Sequence, residues 1–246
     1  SFIRFENVLW HHNEVTDPMG AGGGLAGIVG ALSNEVIDIV NNTFTLNVPD
    51  GYANNSDGLV NIYNTILWNT GTPPVGGSNI PNIFNSIVEG GWMGPGANNK
   101  DMDPLFQDIN MNFHLSQGSP AIDMGDNAFS MEATDLDGLP RIVRTIIDMG
   151  VYENLLYCFD DTIYVNSDGS LPYNLEDSIL KGPIPPGFEV DVNGEDTTAF
   201  DLTIANLGEN NFDIQILRSC DQFVIYQCSM SLTLLDTFSK NLVCND

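Results

Sequence analysis

Paired carboxylates are the first candidates for chemistry in this chain, because it carries 33 Asp and Glu residues. Glycoside hydrolysis needs two carboxylates about 5 to 10 Å apart. Asp38 with Glu89, or Asp101 with Asp103, supplies such a pair if the fold brings the two together. With so many acids a chance pair is expected in any fold. We therefore predict no catalytic residue and no enzymatic activity.

Two aspartates around a turn are the best candidates for a metal site. Asp135 and Asp137 flank Leu136 and precede Gly138, a residue suited to a tight turn. Ca²⁺ accepts carboxylate oxygens at this spacing, although the 12-residue loop with a closing Glu is not completed here. We predict at most one structural calcium ion, held by Asp135 and Asp137, and no other cofactor.

The histidines and basic residues offer little further chemistry. His11 and His12 are neighbours, and neighbours on an ideal strand point to opposite faces, so we do not expect them to chelate one ion. We predict a packing role for His114. Arg4 and Lys100 are the only basic residues of the first 100, and we place neither in an acidic cluster. The sequence contains no serine-nucleophile, catalytic-cysteine or phosphate-loop motif.

The charge excludes several classes of partner. Seven Lys and Arg residues stand against 33 acids, a formal net charge of -26 at pH 7. Such a chain repels phosphate backbones, so we predict no nucleic-acid partner. No apolar run approaches the roughly 20 residues of a membrane-spanning helix, so we predict no membrane insertion. The chain begins at Ser1 without Met, and we expect it to be a piece of a longer protein.

All four cysteines lie in the last third of the chain, and the first 157 residues have none. The asymmetry predicts a domain boundary. An even count on strand-like segments, with no C-x-x-C pair for zinc, indicates two disulfides formed in an oxidising compartment and hence an extracellular location. Three pairings remain open among Cys158, Cys220, Cys228 and Cys244.

A short pattern occurs four times: an apolar residue, any residue, Asn, a small or β-branched residue, and an apolar residue. Its asparagines are Asn7, Asn42, Asn64 and Asn85, separated by 35, 22 and 21 residues. Intervals near 21 residues suit one coil of a parallel β-helix, in which the asparagines stack at one left-handed turn. The alternative is that they are ordinary turn residues of a β-sandwich.

Two parts of the sequence resemble known families. Gly22-Gly23-Gly24-Leu25, followed by residues 36–44, resembles the coils of right-handed parallel β-helix proteins related to the polymorphic outer-membrane repeat family. Residues 103–125 and 134–153 are similar to the choice-of-anchor Q module that closes such helices in secreted bacterial proteins. The resemblance implies coils over 1–99 and a cap over 100–153, laid across the last coil. In this cap we expect Arg141 to form a surface ion pair with Asp123, Asp148 or Glu153.

From Asn154 onward, apolar residues recur at every second position in short segments, among them 223–226 and 231–235. This pattern with two disulfides predicts an Ig-like β-sandwich over 154–246. The part resembles the tandem extracellular domains of large Bacteroidetes surface adhesins, with Cys244-Asn245-Asp246 similar to the join to a following module. The same likeness implies O-glycosylation after Asp, at Thr162, Ser178 and Thr197.

The predicted fold class is all-β: a right-handed parallel β-helix with a C-terminal cap, then an Ig-like β-sandwich. Together with the resemblance, this fold class implies a non-catalytic extracellular segment of a larger bacterial surface protein. The segment would serve as a stalk or as a carbohydrate-binding face. The expected partners are other domains of the same polypeptide, neighbouring surface proteins and polysaccharide. Two alternatives stay open: the C-terminal part of a polysaccharide-acting β-helix enzyme, and a subunit of an extracellular filament.

Overall fold

The computed structural model describes residues 2–16, 25–26, 35–54, 57–143, 145–166, 179–196 and 206–236. In these residues the chain is all-β, as predicted, and its sheets are mostly parallel. Asn127–Phe129 form a single turn of 3-10 helix. The chain divides into two compact units, Ser1–Asn154 and Leu155–Asp246.

The strands of the first unit are short, because Asn, Gly and Pro interrupt its runs of apolar and β-branched residues. In chain order they are β1 (Phe2–Glu6), β2 (Leu9–His11), β3 (Leu25–Ala26), β4 (Val36–Val40), β5 (Thr43–Thr45), β6 (Tyr52–Asn54), β7 (Leu59–Tyr63), β8 (Ile66–Trp68), β9 (Val75–Gly77), β10 (Asn82–Phe84), β11 (Ile87–Val88), β12 (Gly96–Ala97), β13 (Phe106–Asp108) and β14 (Asn112–Leu115).

The first twelve strands form three parallel sheets. The first sheet has the order β1-β4-β7-β10-β12, the second β2-β5-β8-β11 and the third β3-β6-β9. The chain therefore visits the three sheets in turn and returns to the first sheet one strand further on. We call β1–β3 the first pass, β4–β6 the second, β7–β9 the third and β10–β11 the fourth.

Apolar residues of successive passes lie in register and form the core between the sheets. In the first sheet Ile39 pairs with Ile62 and Ile62 with Ile83, and all three are fully buried. In the second sheet Phe44 and Leu67 pair in the same way and belong to the same cluster. Because strand side chains alternate between faces, the residues between these positions point outward.

A column of asparagines marks the corner between the first and second sheets. Each follows the last residue of a first-sheet strand and has φ between +47° and +60°; they are Asn7, Asn41, Asn64, Asn85 and Asn98. The Nδ2 atom of Asn64 donates to Oδ1 of Asn41 at 3.1 Å, and that of Asn98 to Oδ1 of Asn85 at 2.9 Å. Asn is the residue other than Gly that best tolerates this left-handed backbone.

The predicted column is corrected at its second member, where Asn41 takes the place of Asn42. Asn42 lies one position further on, where its Oδ1 accepts a hydrogen bond from the backbone N–H of Val8 at 2.6 Å. Thr65 and Ser86 occupy the same position in the next passes, and Thr65 Oγ1 accepts from the N–H of Asn42 at 3.3 Å. A row of small polar side chains therefore runs beside the column of asparagines.

Residues 103–153, of which Arg144 is not described, form what we call the flank segment. It begins with the antiparallel pair β13–β14 and continues as irregular chain. Its Leu115, Ala121 and Met149 pack on Ile66 and Ile87, which lie on the outer face of the second sheet. The expected cap over the last coil is therefore corrected. The segment lies along the side of the stack because that outer face is apolar and needs cover.

Close approach of the flank segment depends on glycine at one position in particular. Gly150 has φ of +96°, and a Cβ there would lie 2.8 Å from Ile66 and 2.9 Å from Thr43. Its backbone N–H donates to the carbonyl of Asn64 at 2.8 Å. The flank segment thus joins the asparagine corner directly through its backbone.

The second unit contains one mixed five-stranded sheet in its described residues. Its strands are β15 (Asp161–Val165), β16 (Phe188–Val192), β17 (Glu195–Asp196), β18 (Gly208–Arg218) and β19 (Phe223–Asp236). Their order is β15-β19-β18-β16-β17, and β15 is parallel to β19. The predicted strands 223–226 and 231–235 are wrong as separate elements, because β19 continues through both without a turn. Ile214, Ile225 and Leu232 belong to its fully buried apolar residues.

Candidate functional site

A polar column on the outer face of the first sheet is the best candidate for a functional surface. Strand register places Arg4 beside Asp38, Asp38 beside Asn61 and Asn61 beside Asn82. Asn82 donates to Asn61 and Asn61 to Asp38, each at 2.9 Å. These side chains alternate with the buried isoleucines, so they must point outward. We call the four residues the polar column.

Arg4, the member of the polar column on β1, links the column to Glu6. Its Nε lies 2.7 Å from Oε2 of Glu6, and its Nη1 lies 3.8 Å from Oδ2 of Asp38. The expectation that Arg4 lies outside any acidic cluster is therefore wrong. The two carboxylates come together because one lies two residues along the same strand and the other in the next pass, in register.

Glu6 is held as a carboxylate by many donors. Its Oε1 accepts from Asn41 at 3.2 Å, from the hydroxyl of Ser130 at 3.1 Å and from the N–H of Met131 at 2.8 Å. Burial opposes ionisation, but the hydrogen bonds from Arg4 and from the flank backbone outweigh it and hold the pKa of Glu6 below its usual range. A carboxyl group whose pKa is lowered in this way is a poor proton donor, because it stays ionised and its oxygens already accept hydrogen bonds.

An aromatic stack runs beside the polar column. Tyr63 and Phe84 are neighbours in register, with ring centroids 5.5 Å apart, and Phe129 of the flank segment stacks on Tyr63 at 3.9 Å. Burial and the negative charge of Asp38 raise the pKa of Tyr63. Together the two columns offer repeated hydrogen-bonding groups next to ring surface, which suits a hydroxyl-rich polymer.

The flank segment buries a second group of charges. Arg141 is 1% exposed, and its Nη2 donates to the carbonyl of Gly150 at 2.8 Å and lies 3.4 Å from Oε1 of Glu153. The expected surface ion pair is therefore corrected to a buried one, with Glu153 as its partner. Burial and the neighbouring Asp148 raise the pKa of Glu153 well above its usual range. Asp148 itself accepts from the N–H of Asp123 at 2.7 Å.

The predicted calcium ligands have other partners in the structure. Oδ1 of Asp135 accepts from the N–H groups of Asp137 and Leu139, and Oδ2 accepts from the N–H of Glu153. Oδ2 of Asp137 lies 2.6 Å from Nε2 of His114. Within the described ranges no group of three His, Cys, Asp or Glu side chains is placed to hold a metal ion. The two carboxylates therefore accept hydrogen bonds in the turn and from His114, and a calcium ion at this turn stays a prediction.

Cys158 and Cys228 form a disulfide, which is one of the two predicted bonds and excludes the pairings that join either cysteine to another partner. Cys220 carries an exposed thiol that is not part of a disulfide, and Cys244 lies outside the described residues. Thr162 is exposed on β15, as a modified residue must be. The other two O-glycosylation candidates, Ser178 and Thr197, lie outside the described residues.

The polar column was missed by sequence reasoning, although a signal for it was present. Asn61 and Asn82 are 21 residues apart, the same interval that separates Asn64 from Asn85. A repeat of that interval at a second Asn position indicates a second stack on the same coil. The sequence suggests for Asp38 only a carboxylate pair with Glu89. The structure gives Glu89 a different role, as acceptor for the N–H of Asn69 at 2.8 Å.

Comparisons of the chain with protein-family models, curated proteins and solved structures find no match. Across the part of the chain that the structure describes, no helix has both the length and the apolar character needed to cross a membrane. The functional assignment therefore depends on the geometry of the outer face of the first sheet.

Proposed function

We propose that the first unit is a right-handed parallel β-helix and the second an Ig-like β-sandwich. The in-register passes through three parallel sheets and the left-handed asparagine corner support the β-helix. The alternation of buried and exposed residues along β18 and β19 supports a sheet with one covered face, as each layer of a sandwich has. The flank segment corresponds to the choice-of-anchor Q module in this proposal.

The proposed role is that of a non-catalytic structural and adhesive segment of a bacterial surface protein, which binds polysaccharide along its side. The observation that carries the proposal is the polar column of Arg4, Asp38, Asn61 and Asn82, in which each side chain is oriented by the next. Pre-oriented amides and carboxylates lose little entropy when they bind a hydroxyl-rich chain. The disulfide and the acidic composition support an extracellular location.

A polysaccharide-acting enzyme is the second candidate, and one observation favours it. Arg4 lies between Glu6 and Asp38, so a cation and two carboxylates meet on the outer face of a parallel sheet. The hydrogen-bonded state of Glu6 weighs against it, because Oε1 accepts from both side chains and backbone. We therefore rank binding above catalysis for this surface.

Glycan-array binding of the whole chain tests the proposal. The double variant Asn61→Ala/Asn82→Ala removes two members of the polar column, and we expect at least a tenfold loss of affinity for any polysaccharide that the parent chain binds. Asn110→Ala, at an exposed turn of the flank segment, is the matched control and should bind like the parent.

Three results would contradict the proposal. The first is a parent chain that binds no glycan, and the second is a double variant that binds as tightly as the parent. The third is release of unsaturated or shortened sugars, which would favour the enzyme instead.

A further inference from the structure

His11 and His12 point toward each other at the surface of the first unit. Both are exposed, and the Nδ1 atoms of the two rings lie 2.9 Å apart. The ring centroids are 5.2 Å apart and the ring planes are nearly perpendicular, at 84°. Two imidazole nitrogens therefore meet edge to edge at one place.

The backbone explains why two neighbours share one side. His11 ends β2, and His12 has φ of +52°, so the strand geometry that sends neighbours to opposite faces stops between them. In the next pass Leu46 follows Thr45 as His12 follows His11, and its φ is +54°. The left-handed turn is thus a repeated feature of this corner. The ideal-strand geometry on which the sequence expectation depends therefore does not hold at His12.

Phe113 of the flank segment packs against both rings. Its centroid lies 4.9 Å from that of His11 and 6.4 Å from that of His12. Phe113 is buried and belongs to β14, so its ring is held in place by the surrounding packing. This ring restricts the rotamers of the two histidines, which lowers the entropy cost of holding them together.

We propose that His11 and His12 form a two-nitrogen chelate for a divalent transition-metal ion of tetragonal geometry, of which Cu²⁺ and Ni²⁺ are the types. Two nitrogens at about 2.0–2.1 Å from one ion are about 2.9 Å apart when the angle at the metal is 90°. A tetrahedral angle requires about 3.3 Å. The 2.9 Å between the Nδ1 atoms is a hydrogen-bond distance, and a square-planar or octahedral ion can replace the shared proton without spreading the two nitrogens further apart.

In this proposal, water molecules fill the remaining coordination positions of the ion. Within the described residues no third His, Cys, Asp or Glu completes a cluster with the pair, so the ion is held at an open site. The acidic chain, with a formal charge of -26, attracts cations generally.

Metal binding at this pair leaves the proton count unchanged. Without metal, one ring donates its Nδ1–H to the Nδ1 of the other. When both Nδ1 atoms coordinate the ion, that proton moves to Nε2 of the same ring through solvent. When both rings start neutral, this change of tautomer releases no proton.

The test uses Cu²⁺ as the probe on the whole chain at pH 7.4. Electron paramagnetic resonance at one equivalent of Cu²⁺ should show coupling to two imidazole nitrogens. Titration in competition with glycine should give affinities at least tenfold weaker for each of His11→Gln and His12→Gln. Both positions are exposed, so tryptophan fluorescence should confirm that the variants stay folded. Glu132→Gln, which removes an exposed acid of the flank segment, should leave the affinity unchanged.

Three results would overturn the inference. They are an absence of nitrogen coupling in the parent chain, a loss of less than tenfold in either histidine variant, and a loss for Glu132→Gln as large as theirs. Zn²⁺ on the parent chain supplies an independent check. The Irving–Williams order and the 90° geometry both predict binding at least tenfold weaker than that of Cu²⁺, and equal binding would contradict the proposal.

Discussion

Replacement of Asn64 tests whether the asparagine corner stabilises the first unit. Asn64 is fully buried with φ of +50°. Its Nδ2 donates to Oδ1 of Asn41 at 3.1 Å and to the carbonyl of Asp126 at 3.0 Å, and its Oδ1 accepts from the N–H of Asp126 at 2.8 Å. One side chain therefore joins two passes and the flank segment.

The expected loss is the sum of two effects. Asn64→Ala removes all three side-chain hydrogen bonds and leaves the N–H of Asp126 without this acceptor, at about 1–3 kcal/mol for a buried group. Alanine in the left-handed region costs about 1–2 kcal/mol more. We expect a loss of about 4 kcal/mol in the free energy of unfolding. Asn64→Gly should lose about 0.5–1 kcal/mol less, because glycine accepts the positive φ but has a more flexible unfolded state.

Urea unfolding followed by tryptophan fluorescence measures the loss. All three tryptophans, Trp10, Trp68 and Trp92, lie in the first unit, so the signal reports on that unit alone. Asn98→Ala is the matched control: it has φ of +60° but is exposed and donates one hydrogen bond along the column. If Asn64→Ala costs no more than Asn98→Ala, the corner does not stabilise the fold in the way argued here.

Three further predictions concern pH, the disulfide and one glycine. Burial raises the pKa of Asp135 to about 7, so the folded first unit takes up a proton that the unfolded chain does not. Its free energy of unfolding in urea should therefore rise by about 2 kcal/mol as pH falls from 8 to 5, and a steady fall over this range would contradict the assignment. Cys158→Ser should cost the second unit about 2–5 kcal/mol by circular dichroism, because the disulfide spans 70 residues, whereas Cys220→Ser should cost almost nothing. Gly96→Ala should break the β10–β12 pairing, because its Cβ would overlap the carbonyl oxygen of Ile83; an unchanged free energy of unfolding in urea would refute this.

The all-β class and the repeat were predictable because strand pairing leaves local signals. β-Branched residues alternate with polar ones, and an Asn recurs after each strand of the first sheet. These signals depend on residues within one pass, so they can be found in the sequence alone. The interval from Asn64 to Asn85 gives the length of a pass directly.

The exact member of the column was not predictable at Asn41 and Asn42. Both are asparagines, but only Asn42 is followed by residues that fit the repeated pattern, Thr43 and Phe44, so the pattern selects the wrong one. The choice depends on which one adopts the positive φ, and that follows from the register of Val40 with Tyr63. Register between distant strands is a tertiary property, and a shift of one residue is invisible in composition.

The position of the flank segment was also out of reach of the sequence. Its contacts join residues more than 60 positions apart, such as Asn64 with Asp126. A cap over the last coil and a cover along the side need the same kinds of residue: Gly for close approach, apolar residues for contact and Asp for turns. The apolar outer face of the second sheet decides between these two positions of the segment. No signal in the sequence shows that the side chains of Ile66 and Ile87 point outward from the sheet and not inward.

The flank segment and the asparagine corner hold each other in a way that suits the proposed stalk. Asn7 donates to the carbonyl of Thr134, Asn41 to the hydroxyl of Ser130 and Asn64 to the carbonyl of Asp126. The flank chain thus descends four residues for each pass and joins three passes in succession. A force that separates two neighbouring passes must break their backbone ladder and also detach the flank chain from both. Parallel strands joined only by their backbone hydrogen bonds would lack that second restraint. The attached flank chain would therefore strengthen a surface segment that is under tension.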